Sequence, residues 1–109
     1  MDFTAFLADR RNIALQADDG CAFFDWSGPG IYQMHTMWLA AARGKKAKDL
    51  IEKMATEMFD LHGARLIWAQ TPAGHKPVRL LARLCGFKSQ GMGEHMQLGP
   101  VEYFIKENG

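Results

Sequence analysis

The feature that most constrains this chain is a long amphipathic stripe held between two apolar strand-like runs. Ala47, Leu50, Ile51, Met54, Met58 and Leu61 recur at steps of three and four, the signature of one helix face turned toward a core. Lys45, Lys48, Asp49, Glu52, Lys53, Glu57 and Asp60 fall off the stripe. His62-Gly63 ends it, with glycine supplying the left-handed cap. The run 31–39 precedes the helix, read as 44–62, and the short apolar run 64–70 follows it. A strand, a helix and a second, almost wholly apolar strand imply parallel pairing through a right-handed crossover.

The flanking segments complete an α/β order around a mixed sheet. Phe3, Phe6, Leu7 and Arg10 predict a short helix over 2–11, with Asp2 as its N-cap. Residues 12–17 and 21–26 read as strands joined by Asp18-Asp19-Gly20. Ser27-Gly28-Pro29-Gly30 turns the chain into the third strand. That makes an antiparallel meander. A second helix is predicted over 75–85, stopped by Gly86, with closing strands at 87–98 and 100–106.

The totals exclude several classes. With 109 residues and 48% hydrophobic side chains, the chain builds one core and one domain, 1–109. A net charge of +1 argues against non-specific binding to nucleic acid. No apolar run approaches the roughly 20 residues that span a membrane, and no signal pattern opens the chain. Cys21 and Cys85 alone form no disulfide framework or zinc motif. A cytoplasmic protein is expected, free or phage-encoded, in the host cytoplasm or virion. No histidine pair has ligand spacing, so no metal is expected.

The chemistry concentrates at Arg43-Gly44-Lys45-Lys46-Ala47-Lys48, a strand-to-helix junction. Free backbone N–H groups and the helix dipole make such a junction anion-binding. Four cations there oppose the dipole, and a bound phosphate would offset them. Lys76, Arg79 and Arg83 form a second basic cluster on the last helix. The same residues also read as a solvated turn and a solvated helix face.

From about Ile31 to Gly91 the chain resembles the core of the GNAT-type N-acetyltransferases. Arg43-Gly44-Lys45-Lys46-Ala47-Lys48 is similar to that family's pyrophosphate loop, Q/R-x-x-G-x-G/A. The segment from His75 to Gly86-Phe87 is similar to its N-x-x-A-x-x-L-Y-x-x-x-G-F helix. The Arg-Gly-Lys-Lys-Ala run, the later Thr-Pro and the Gly-Phe ending most resemble small bacteriophage members. The resemblance implies a V-shaped splay between strands 31–39 and 64–70 that admits coenzyme A. It implies cofactor contacts from Met37, Trp38, Leu39, Arg43, Gly44, Lys45, Lys46, Ala47, Lys48, His75 and Arg79. Met34 and Trp68 are further candidates for the channel wall, although methionines and aromatics in strands usually serve a core.

The implied activity is transfer of acetyl from acetyl-CoA to an amine, on a small molecule or a protein, and a homodimer is compatible with it. His35 is the candidate base, with Asp25 and Glu94 as alternatives. The chain departs from the pattern at Lys46 and Lys48, where the family has glycines, and at His75, where it has asparagine. Ala82 stands where a tyrosine usually protonates the leaving thiolate; Cys85, three residues further along that helix, could share its face but reads more simply as a small buried residue before the Gly86 cap. A second reading is therefore a coenzyme A-binding or structural module without efficient catalysis.

Overall fold

A computed structural model describes residues 3–18, 20–38 and 44–108. Its elements are α1 (Phe3–Ala8), β1 (Ile13–Ala17), β2 (Gly20–Gly28), β3 (Ile31–Trp38), α2 (Lys45–Leu61), β4 (Leu66–Pro72), α3 (Lys76–Leu84), β5 (Lys88–His95) and β6 (Gly99–Glu107). The six strands form one sheet in the order β1-β2-β3-β4-β6-β5. Only β3 and β4 pair in parallel; every other neighbouring pair is antiparallel. The expected mixed α/β architecture, a meander followed by strand–helix–strand–helix–strand, is the one observed. None of the described helices is long and apolar enough to cross a membrane.

Side-chain alternation sorts the sheet into two faces. Ala22 and Phe24 of β2, Tyr32 and Met34 of β3, Ile67 of β4 and Phe104 of β6 point to one face. There they meet Ile51, Met54, Ala55 and Met58 of α2, with Leu81 and Ala82 of α3 packed alongside. The opposite face carries Phe23, whose ring meets Phe6 of α1 edge-on at 5.4 Å. Two helices thus cover one face and a single short helix touches the other.

Several boundaries differ from the sequence reading for identifiable reasons. α1 is shorter than 2–11, and Asp2 lies outside the described residues. Asp9 and Asn12 close a turn beyond α1: Asp9 accepts from the Arg11 and Asn12 backbone N–H groups, and the Asn12 amide donates to the Phe6 carbonyl. β4 begins two residues later than expected because Ala64 belongs to the α2 cap. Gly63 turns at φ 71°, and the Ala64 N–H reaches back to the Met58 carbonyl at 3.1 Å. β4 also runs on to Pro72, since β6 pairs with it over that whole length.

α3 is only nine residues long, too short to persist alone, and polar anchors hold it. Glu102 of β6, only 3% exposed, accepts from Arg79 Nε at 2.7 Å and Ser89 Oγ at 2.6 Å, and from Arg83. Arg79 also donates to the Ala73 carbonyl at 2.7 Å. At the far end, Lys106 Nζ donates to the Cys85 carbonyl at 2.6 Å. The Arg79 and Arg83 guanidiniums therefore fasten α3 to β6.

Hydrogen bonds from Ser89 and Arg79, with the Arg83 charge, hold the Glu102 carboxyl below its ordinary value of 4.5. Its stabilisation is then complete above that value and disappears as the pH falls through the lowered native pKa. We expect Glu102→Gln to lower the melting temperature by several degrees at pH 7. The gap to wild type should narrow steadily below about pH 4, as thermal scans across that range would show.

Candidate functional site

The site begins where the sheet parts. β3 and β4 pair only at Ile31↔Leu66, Tyr32↔Ile67 and Gln33↔Trp68. Beyond that point each strand keeps its other partner. β3 stays on β2 as far as Gly20↔Trp38, and β4 stays on β6 as far as Pro72↔Val101. Met34–Trp38 and Ala69–Pro72 consequently diverge as the two arms of a V. Their backbone N–H and C=O groups that point into the gap have no ladder partner across it, a costly state unless something fills the gap.

On the helical side of the V lies a cavity of about 340 Å³, lined by Met34, His35 and Thr36 of β3, Ala69, Gln70, Thr71 and Pro72 of β4, and His75, Val78, Leu81 and Ala82 of the α3 segment. Its walls are mostly apolar. Thr71 Oγ1 is buried without a hydrogen-bond partner, an expensive arrangement for a hydroxyl. Among the described residues it is the one buried side-chain polar atom left unpaired.

A second cavity of about 530 Å³ lies on the opposite face, between α1, β2, β3, β4 and the β5–β6 hairpin. Asp25, Gln33, His35, Gln70 and His95 line it, with Asp9 and Asn12 at the α1 side. His35 and Gln70 line both cavities, one from each arm of the V, so each chamber borders the same pair. Sequence reasoning did not single out Gln70. Its signal is faint: a lone amide directly after the apolar run Leu66–Ala69.

α2 starts beyond the open end of the V. Gly44 caps it at φ 59°, ψ −126°, a conformation suited to glycine, and no side chain hydrogen-bonds to the cap. The Lys48 N–H already bonds the Gly44 carbonyl at 3.0 Å. Helix geometry therefore turns the N–H groups of Lys45, Lys46 and Ala47 outward from the helix start. Lys45 pairs with Asp49 at 2.9 Å and Lys48 with Glu52 at 2.8 Å. The first is an exposed and the second a half-exposed i,i+4 pair, both of the weak, exchangeable kind. Ala47 turns its methyl inward, 2% exposed.

The other candidates distribute as follows. His75 caps α3 without a side-chain bond and lines the V cavity. Arg79 is directed onto Glu102 and Ala73, away from any solvated basic face. Leu39 and Arg43 lie outside the described residues, as do the side chains of Met37 and Trp38. Trp68 is hydrogen-bonded to Ser27 Oγ at 3.0 Å and lines neither cavity. Glu94 is exposed and lines neither. Cys85 is 1% exposed and directs its thiol to the Lys48 carbonyl. Burial, aided by Glu52, pushes that thiol up to about 11, so it is an inert core group.

His35 combines position with protonation state. Burial pulls its pKa below the ordinary value of 6.5, and the Asp25 carboxylate partly opposes the shift. At neutral pH its imidazole is therefore uncharged and has a nitrogen able to accept a proton. Following the His35 ring protons by NMR should give a titration midpoint below 6.5. Asp25→Asn should move that midpoint lower still. A midpoint that rises or stays fixed in the variant would separate Asp25 from His35.

No protein-family model matches the sequence, and no curated protein matches it. Solved structures do. A variant of the spermidine N-acetyltransferase SpeG of Vibrio cholerae superposes with a TM-score of 0.80 at 13% identity, covering 96% of this chain and 70% of its own. The aminoglycoside acetyltransferase AAC(6')-Ib, in complex with coenzyme A, gives 0.74 at 15% identity over 95% and 70%. A GNAT-family acetyltransferase of Bacillus anthracis gives 0.69 at 16% identity over 82% and 58%. The bacteriophage likeness suggested by the sequence finds no support in these matches. With its parallel β3–β4 junction opening into a V, the chain has the fold of the GNAT acetyltransferases.

Proposed function

We propose that the protein is an acetyl-CoA-dependent N-acetyltransferase. The observation that carries this reading is the parting of β3 from β4. An extended chain bearing its own amides can satisfy backbone groups along both arms, in the manner of an added strand. The pantetheine arm of coenzyme A has that shape and those amides. The fit extends to side chains: the orphaned Thr71 hydroxyl gains a partner from a polar group seated in the V. Met34, Ala69 and Leu81 offer it apolar walls. The α2 start, with Gly44, Lys45, Lys46, Ala47 and Lys48, would hold the diphosphate through backbone N–H groups and lysine charges. His75 would sit beside the arm at the start of α3. Arg79 contributes by holding α3 in place.

When bound, acetyl-CoA supplies an acetyl group activated as a thioester. The attacking amine comes from the opposite chamber and meets it between His35 and Gln70. His35 takes the amine's proton on its unprotonated ring nitrogen as the carbon–nitrogen bond forms and the carbon–sulfur bond breaks. Gln70 can donate an amide N–H to the oxygen that gains charge. Ala82 has no proton for the departing sulfur, and a thiolate leaves without one. The missing acid is also the observation that favours the second reading, a coenzyme A-binding module of low turnover.

Calorimetric titration with acetyl-CoA should show binding, and saturating ligand should raise the melting temperature. Replacing Lys45 and Lys46 together with alanine should weaken binding about tenfold or more while leaving the ligand-free protein folded. No heat and no thermal shift would sink the cofactor assignment. Binding without thiol release toward any amine would transfer the conclusion to the module.

A further inference from the structure

The helix-side cavity has two unlike ends. At its wide end it is lined by Thr36, Thr71, Pro72 and His75, where the strands stand apart. Its other end stops where β3 and β4 pair again, at the Gln33↔Trp68 rung. Met34 and Ala69 are the first residues past that rung, and both line the cavity. Ile51 of α2, Leu81 and Ala82 of α3, and Phe87 complete this end, and these six side chains are all apolar. Met34, Ile51 and Phe87 are buried, and Leu81 and Ala82 pack against the core. The closed end is therefore an apolar recess that runs into the core. Ala69 and Ala82 keep it open, because each presents only a methyl group to it.

Water gains little in such a recess, since it needs two to four polar partners. Left empty, the lining atoms forgo dispersion contacts. An apolar chain is the occupant that suits it. The reaction proposed above puts the thioester carbon beside His35 and Gln70, which border both chambers. From their level to the closing rung is two residues along each strand, a depth of about 7 Å. The amine comes from the polar face, so the recess is left to the acyl chain. An acetyl methyl reaches about 3.5 Å beyond the carbonyl carbon, counting one bond and the methyl radius. A butyryl chain reaches about 6 Å and an octanoyl chain about 11 Å. Acetyl leaves the recess half empty, butyryl fills it, and octanoyl overruns the rung.

We propose that the closed end of this cavity is an acyl-chain pocket that favours a short-chain acyl-CoA of about four carbons over acetyl-CoA, with Ala69 and Ala82 setting the length. The pocket rests on the acyl-transfer reading for the position of the thioester. The bond changes are the same for the longer chain. The amine nitrogen bonds the acyl carbon and the carbon–sulfur bond breaks. Its electron pair leaves with sulfur, and the amine's proton passes to His35. Acetyl remains a donor that fits loosely.

The test is a calorimetric titration of the wild-type protein with coenzyme A and with its acetyl, propionyl, butyryl and octanoyl thioesters. Affinity should rise about fourfold with each carbon from acetyl to butyryl and fall again at octanoyl. Ala82→Leu, which extends a side chain into the recess, should abolish the gain from acetyl to butyryl, with a thermal melt to show that the variant is folded. Equal affinity for the acetyl and butyryl thioesters in the wild type would overturn the proposal. So would a gain that continues through octanoyl, or one that survives in folded Ala82→Leu. The wild-type series decides even if the variant does not fold. Binding of coenzyme A with no preference among chain lengths would remove this pocket and leave the cofactor reading standing, whereas no binding of any of the five would remove both.

Discussion

The structure depends on a sheet that is one sheet at one end and two at the other. β1-β2-β3 is held together as a meander, and β4-β6-β5 as a strand with its hairpin. The two halves share only the rungs from Ile31 to Gln33 on one side and Leu66 to Trp68 on the other. Each half is complete along its own ladders, so the parting breaks no bond already made. It does leave inward-facing backbone groups on both arms, and their satisfaction is the unmet requirement of the fold. α2 bridges the halves on the core face. Ile51 and Met54 enter the core, and Met58 and Ile67 are sealed completely. The gap is thus a built-in opening in a packed domain.

The polar chemistry follows from that opening. His35 and Gln70 stand on opposite arms and border both chambers, so a group entering from either face encounters the same pair. The helix side is apolar, with one orphaned hydroxyl at Thr71. The other side is polar, lined by Asp25, Gln33, Gln70 and His95. This division suits an extended, largely apolar arm on one side and a polar partner on the other. α3 turns Ala82 toward the cavity and is secured from behind by Arg79, Arg83 and Glu102.

Local periodicity and turn chemistry made much of the fold legible. The α2 stripe correctly identified Ala47, Ile51, Met54 and Met58 as core, and Gly63 and Gly86 mark real left-handed turns. Leu61, at the end of the stripe, is 73% exposed because the chain turns away at the cap. Ala64 looked like a strand residue because an apolar residue that completes a helix cap has the same composition as one that opens a strand. The basic face of α3 was misread for a related reason. Spacing shows that Arg79 and Arg83 share a side, but not what lies opposite. The clue was Glu102, a single acid inside the apolar run Val101–Ile105, which needs buried cationic partners. The chamber on the α1 face was not legible at all, since α1, β2, β3, β4 and the β5–β6 hairpin meet there from distant parts of the chain.

The central claim is that the open V is a seat for an extended cofactor arm, and amide hydrogen exchange tests it most directly. On addition of coenzyme A, the account predicts slower exchange at amides of Met34–Thr36 and Ala69–Thr71 that point into the gap, and at Lys45–Ala47. The amides of β1, already paired with β2, should be unchanged. Exchange that remains fast along both arms while the ligand is bound, or protection confined to another surface, would contradict the account.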